Sequence, residues 1–555
     1  MSARVLVIGL DGVTLRVIHP LAQAGYLPNL ARLIEEGTSG ELRSTMPPVS
    51  GPAWHAMKTG KSPGRTGVYD FVRYDPRRYQ SKLIQLGQLP GPYLWDIVDR
   101  YSDYRVGVYN LPTTYPPAQV NGFMVAGFPL PDNAPDYAFP LELKAELDGV
   151  TGAHRTDIRY RDYRRHKDFL SDVDDLIDQR VKVYHYLRDQ YDPDLFFFTF
   201  TCTDRVQHRM WKYLDPESNL ADPGSARYRG LLYGFWQHLD AAVGELLQSV
   251  DGNETVVVVS DHGFGPQSET FYINEWLRRR RYLKLKGEDS NQPCTASHSL
   301  LRSAREIARG AVKSLPVPGG LRRFVPEAVK RALRAETSFE SMLSRIDWRR
   351  TRAYSPPHTS VFGTVYVNLE RREGQGTVSH EDYDGLRDRI IDELQSLGDE
   401  IPHFQIQVFK REDLYQGRYL VQAPDVVYVI NDFRCVSRSS FCQGPVFRTS
   451  SLGDDYSGTH RLDGVFVARG PSIKQGYRLK AAEIVDVAPT LLHILEIPIP
   501  DDMDGRVLKE IFQPGSELAR RDVNLTSAAD VQTGGEPEEF VDDTVRQRLE
   551  DLGYF

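Results

Sequence analysis

Cysteine is scarce in this chain: Cys202, Cys294, Cys435 and Cys442 are the only four among 555 residues. They form no CxxC pair, and four are too few for a disulfide scaffold in a chain of this length. No run of about 18 apolar residues is present, so no transmembrane helix is expected. The opening MSARVLVIGLDG lacks the basic, apolar and small-residue pattern of a secretory leader. Sparse cysteine and this opening together lead to an expected cytoplasmic location. Positive charge is not in excess either: the net charge is -8, which argues against a stable nucleic-acid complex. Internal repeats are absent. GPAWHAMKTGK lacks the glycine spacing of a phosphate loop, which excludes ATP binding by that device.

What is present is a rhythm of buried strands and helices. VLVIGL, YRVGVYN, PDLFFFTFT and ETVVVVS read as strands, and the apolar runs suit a sheet covered on both faces. Residues 21–36, Ser50 to Gly60, and 138–190 read as mainly helical. DGVFVARG and IVDVAPTLLHILEI restore the strand–helix alternation near the end. This is an α/β pattern, in which sites form at the C-terminal ends of strands. The rhythm breaks between about 267 and 450, where an inserted α+β lobe is expected. Boundaries follow: 1–266 for the N-terminal part of the core, with a helical elaboration at 138–190; 267–450 for the lobe; 451–520 for the C-terminal part of the core; 521–555 for a polar tail ending in a helix.

Polar residues interrupt the alternation where chemistry would sit. Asp11 and Asp261-His262 each follow a strand. Asp204 and His208 are four apart, a spacing that puts both on one face of a helix. His460 lies in a glycine-containing turn before a strand, and Ser50 precedes a short helix. Singly, each has a plain reading as a cap, a surface pair or a loop residue. Together they could hold two divalent metals around an oxygen nucleophile, which points to phosphoester hydrolysis. Asn110, at a strand end, is a candidate donor to a nonbridging oxygen, and Tyr115 in the loop LPTTYPP a candidate lining residue. Cys202 is close in sequence but is not expected to be a nucleophile.

The segments VIGLDG, PPVSGPAWHAMKTGKSPGRTGVYDF at 47–71, YNLPTTYPP at 109–117, TDRVQHRMW at 203–211, VVVVSDHGFG at 256–265 and SGTHRLDGVFVARG at 457–470 resemble the alkaline phosphatase superfamily. The likeness is to its type I phosphodiesterase and nucleotide pyrophosphatase branch. IVDVAPTLLHILEIPIPDDMDGRVL and the final RLEDLGY add to it. The resemblance implies an alkaline-phosphatase-like core with a mostly parallel central sheet flanked by helices. It implies one metal held by Asp204, His208 and His460, and another held by Asp11, Ser50, Asp261 and His262. Ser50 is then the nucleophile, where many relatives have threonine. Zinc is the expected ion, with manganese as the alternative, and the expected substrate is a small phosphorylated molecule. A phosphodiester or nucleotide-type pyrophosphate comes first. A phosphomonoesterase, or a non-catalytic lipid-binding or scaffold protein that retains the site, is the alternative. The basic segment 302–334 reads as a solvated helical face, a peripheral contact with anionic membranes, or a device to steer a phosphorylated substrate.

Overall fold

The computed structural model describes residues 4–84, 91–131, 134–158, 163, 165–214, 225–288, 339–401, 403–449, 456–531, 539–540, 545 and 549. Nine strands build the central sheet: β1 (Val5–Leu10), β2 (Thr38–Arg43), β3 (Val106–Leu111), β4 (Gly122–Ala126), β5 (Ala138–Phe139), β6 (Leu195–Phe200), β7 (Thr255–Val259), β8 (Asp463–Arg469) and β9 (Tyr477–Glu483). Their order is β9-β2-β8-β7-β1-β6-β3-β4-β5. The pairs β7–β1, β1–β6, β6–β3, β3–β4 and β2–β9 are parallel. β8 enters antiparallel between β2 and β7, and β5 closes one edge antiparallel.

The alternation of a strand sends each side chain to one of two cores. Leu6, Ile8 and Leu10 of β1 join Phe196 and Phe198 of β6 on one face. Val5 and Val7 join Leu195 and Phe197 on the other. Helices α1 (Ser50–Thr59), α2 (His166–Tyr191), α3 (Cys202–Leu214), α4 (Ser225–Gln248) and α5 (Val487–Ile494) cover the sheet. α2 and α4 contribute Leu176, Leu232 and Trp236 to the first core. α1 and α5 contribute Trp54 and Leu491 to the second. The expected helix over 21–36 is two helices, Leu15–Gln23 and Pro28–Glu36. Gly25 turns at φ +80 between them, and Pro28 fits a first helical turn but not an interior. The 138–190 stretch starts with β5 before its helices Leu143–Thr151 and α2.

The inserted lobe has a sheet of its own. Its strands are Glu269–Tyr272, Ala353–Tyr354, Gly363–Val367, Ile406–Lys410, Val426–Ile430, Cys435–Arg438 and Phe447–Thr449. Phe271, Trp276, Val365, Leu386 and Tyr428 pack in a separate core. The basic 302–334 segment and Cys294 lie outside the described residues. Of the expected terminal helix, only the buried Val545 and Leu549 are described. Glu539–Phe540 ahead of it pairs with Gln80–Ile84.

Candidate metal centre

β6, β1 and β7 run parallel and adjacent, so their C-terminal ends open on one edge. Asp11 follows β1, Asp204 lies in the first turn of α3 just after β6, and Asp261-His262 follows β7. The last histidine arrives by a different route. Gly263–Pro266 pairs antiparallel with Gly458–Arg461, and the register sets His460 opposite Phe264. Gly12, at φ +70, makes the turn under this edge; a Cβ there would meet Phe264 at 3.0 Å and His262 at 3.2 Å. Its N–H donates to Asp261 Oδ1 at 3.1 Å. Ser50 opens α1, and its Oγ lies 3.1 Å from His262 Nε2.

Two clusters result, each buried, each with candidate ligand atoms within 4.8 Å of one another: Asp204, His208, His460, and Asp11, Asp261, His262. Hydrogen bonding shows what they lack. Nδ1 of His208 faces the Gly458 carbonyl at 2.9 Å, Nδ1 of His262 faces Gly263 O at 3.0 Å, and Nδ1 of His460 faces Pro48 O at 2.8 Å. A carbonyl only accepts, so each Nδ1 carries the proton and each Nε2 offers a lone pair. The Nε2 atoms of His208 and His460 are 3.0 Å apart, and both approach Asp204 Oδ1 at 3.3 Å. Asp11 Oδ1, Asp204 Oδ1 and Asp261 Oδ2 are buried with no hydrogen-bond partner. Lone pairs converging without protons to share are repulsive, and an unpaired buried carboxylate costs several kcal/mol. A divalent cation in each cluster removes both penalties, so the donor set fits metal ions.

The electrostatics agree. Burial, then Asp261 and Asp204, pushes Asp11 well above the usual carboxylate range. Burial raises Asp261 to about 7. Burial lowers His262, and brings His460 down to about 3, so both imidazoles are neutral, as metal ligands must be. Asp204 goes the other way. Burial pushes it up, the adjacent Arg205 guanidinium pulls it down, and the net direction is well below the usual range. Arg205 Nη1 lies 2.6 Å from Asp204 Oδ2, and its Nη2 lies 3.0 Å from Asp157. One carboxylate oxygen is thus tied back while the other faces the cluster.

The remaining sequence candidates are placed as follows. Asn110, buried at φ +56, donates from Nδ2 to Thr199 O of β6 at 3.1 Å. Tyr115 donates to Asp136 at 3.1 Å on the exposed side of its loop. Cys202 is buried and its thiol is pushed up to about 12, which leaves it inert. Pro52 at the third position of α1 leaves only Ser50 and Gly51 with free N–H groups for an anion, fewer than a helix N-terminus usually offers. The sequence reading missed Arg205, Asp157 and Trp54. Trp54 Nε1 points to Asp11 Oδ2 at 3.4 Å, and its four-residue spacing from Ser50 was the available signal. Nothing local in the sequence marks Asp157 as the partner of Arg205.

Residues 5–439 match the model of the type I phosphodiesterase / nucleotide pyrophosphatase family. The chain belongs to this family. With its two candidate clusters, this phosphodiesterase-family chain is a metal-dependent hydrolase of phosphoesters. No curated protein matches it significantly. Among solved structures, murine ectonucleotide pyrophosphatase/phosphodiesterase 5, an inactive threonine-to-alanine variant in complex with AMP, aligns at 12% identity with a TM-score of 0.51, covering 92% of this chain and 100% of that one. The human protein aligns at 13% with a TM-score of 0.49 and the same coverage. Phosphonoacetate hydrolase from Sinorhizobium meliloti 1021 aligns at 15% with a TM-score of 0.48, covering 89% and 96%. These likenesses concern the fold. The expected cytoplasmic location is corrected here: the murine structure that shares this fold is an ectoenzyme by name, so the fold is not tied to the cytoplasm. No described helix is long and apolar enough to cross a membrane.

Proposed function

We propose that the chain hydrolyses a phosphodiester or a nucleotide-type pyrophosphate with Ser50 as nucleophile. The observation that carries this reading is the pair of buried clusters, three of whose carboxylate oxygens have no hydrogen-bond partner, with the Ser50 hydroxyl 3.1 Å from His262 Nε2 of one of them. Asp204, His208 and His460 would hold one ion; Asp11, Ser50, Asp261 and His262 would hold the other. Zinc suits this mixed oxygen and nitrogen set, and manganese is the alternative. Bound ions would supply Lewis acidity to the entering and leaving oxygens and lower the pKa of the nucleophile.

Ser50 Oγ releases its proton to solvent water and attacks phosphorus, forming a Ser50 phosphoester as the bond from phosphorus to the leaving oxygen breaks. The leaving oxygen departs with that electron pair. Water then cleaves the Ser50 ester and restores the hydroxyl. Asn110 has a second amide hydrogen besides the one on Thr199 O, and this one is free to meet a nonbridging oxygen. Tyr115 is retained as a lining residue of the same loop. The division of the chain at 267 and 450, with the lobe as an insertion into the core, is part of the same reading.

The test is hydrolysis of bis-p-nitrophenyl phosphate against p-nitrophenyl phosphate, with metal-stripped protein reloaded separately with zinc, manganese or magnesium. A metal-dependent preference for the diester supports the reading. A preference for the monoester overturns its substrate half.

A further inference from the structure

Lys58 lies on α1 eight residues after Ser50 and is fully buried. Ser50, Trp54 and Lys58 are spaced by four, so they follow one side of the helix. Ser50 reaches His262 and Trp54 reaches Asp11. Lys58 reaches away from the ions, to Thr113: its Nζ donates to the Thr113 carbonyl and, at 2.9 Å, to Thr113 Oγ1. That hydroxyl can accept because its own proton goes to Pro112 O at 2.5 Å. Tyr93 and Trp95 present ring faces to the amine at 4.8 and 5.8 Å. No carboxylate forms an ion pair with it among the described residues. Burial pushes the Lys58 amine well below its usual pKa, against the opposing pull of Asp96, and a plain apolar residue would fill this position without the cost of burying a polar group.

What the amine holds is strained. Asn110 sits at φ +56 and Thr113 at φ +66, two non-glycine residues in the left-handed region within one turn. Each such residue costs about 1 kcal/mol or more and persists only where its surroundings over-determine it. The turn is pinned from other sides as well. Thr113 N–H donates to Phe128 O at 2.8 Å, and Thr114 Oγ1 bridges Leu111 O and Gly127 N–H. Among the described residues, the hydrogen bonds that tie Thr113 to the helix carrying the nucleophile come from Lys58.

We propose that Lys58 is a positioning residue whose buried amine clamps the strained Asn110–Thr113 turn onto the nucleophile helix and so fixes the Asn110 amide at the metal-bearing edge of the sheet. This rests on the proposed role of Asn110. A Lys58 variant would change the placement of Asn110 without removing any candidate ligand.

The experiment compares Lys58→Met, Asn110→Ala and the double variant with zinc-loaded wild type. Metal content, hydrogen–deuterium exchange and turnover of bis-p-nitrophenyl phosphate are the readouts. In Lys58→Met, exchange should rise in peptides covering 106–118 and stay unchanged in those covering α3. Its metal content should hold, and kcat should fall about tenfold at constant KM, the size of loss that a misplaced catalytic group produces. The double variant should be no slower than Asn110→Ala alone, because both changes remove one function. Unchanged exchange at 106–118, or fully additive rate losses, would overturn the clamp. Wild-type turnover by Asn110→Ala with raised exchange in Lys58→Met would instead overturn the Asn110 assignment and leave the clamp standing. If Lys58→Met does not fold, Thr113→Val removes the hydroxyl acceptor alone and should give a smaller change in the same direction; no change in exchange there overturns the proposal.

Discussion

Buried acids in the inserted lobe and at the sheet edge solve the same problem in opposite ways. In the lobe, Asp425 is fully buried, yet both its oxygens are paired. Arg372 holds it from two nitrogens at 2.7 and 2.6 Å, Arg411 from 3.1 Å, Tyr383 donates at 2.6 Å and the Val367 N–H at 2.7 Å. Burial pushes Asp425 up, but Arg372 outweighs it and the net shift is downward. At the sheet edge, Asp11 and Asp261 are equally buried, each has a partnerless oxygen, and both are shifted upward. The lobe carries its cations covalently. The sheet edge presents oxygens that a divalent cation would pair. A buried carboxylate therefore indicates function only when its lone pairs have been left unanswered by the protein.

The comparison can be broken in several ways. The largest expected effect is Ser50→Ala, which should lower diester turnover at least about a thousandfold while sparing metal content. Full turnover would remove Ser50 as nucleophile. Next, chelation should abolish activity and lower Tm by several degrees, because stripped pockets leave repelling lone pairs together; a Tm indifferent to chelator would place the edge in the same class as the lobe. Asp425→Asn should cost about 3 kcal/mol in denaturant unfolding by leaving Arg372 short of its anion, with metal content per folded molecule unchanged.

The smallest effect concerns a third, half-exposed pair. His238 on α4 meets Asp178 at 2.7 Å and Asp174 at 3.1 Å on α2. Asp174 leads in raising its pKa to about 9. A raised histidine stabilises below its unfolded pKa of about 6.5 and loses that contribution as pH rises through about 9. His238→Gln should therefore destabilise at pH 6 and be neutral at pH 10. Solvent screening keeps the difference under about 1 kcal/mol. A larger loss at pH 10 than at pH 6 would contradict this assignment.

The sequence disclosed the edge better than its surroundings. Asp11, Asp261 and His262 follow runs such as VLVIGL and VVVVS that admit little but a buried strand, so their placement followed from periodicity. Asp204 and His208 were legible as a helical pair. His460 was legible as a turn residue ahead of a strand, but its grouping with Asp204 and His208 only through the resemblance, because the ribbon that pairs Gly458–Arg461 with Gly263–Pro266 joins segments far apart in the chain. The antiparallel entry of β8 was hidden for the same reason: DGVFVARG reads alike in either direction. Arg205, Asp157 and Lys58 were invisible because charged residues on helices and loops are ordinarily solvated, and only packing reveals which are buried. The compartment was misjudged because cysteine count reports on disulfides and not on address.

The ribbon has one more consequence. His460 hydrogen-bonds to Pro48, 412 positions earlier in the chain, and it comes after the whole inserted lobe. The chain is synthesised in one direction. Every other member of the two clusters is therefore synthesised before the lobe, and the cluster around Asp204 stays incomplete until the lobe has been made. The order of synthesis thus supplies the last residue of the Asp11 cluster before the lobe and the last residue of the Asp204 cluster after it.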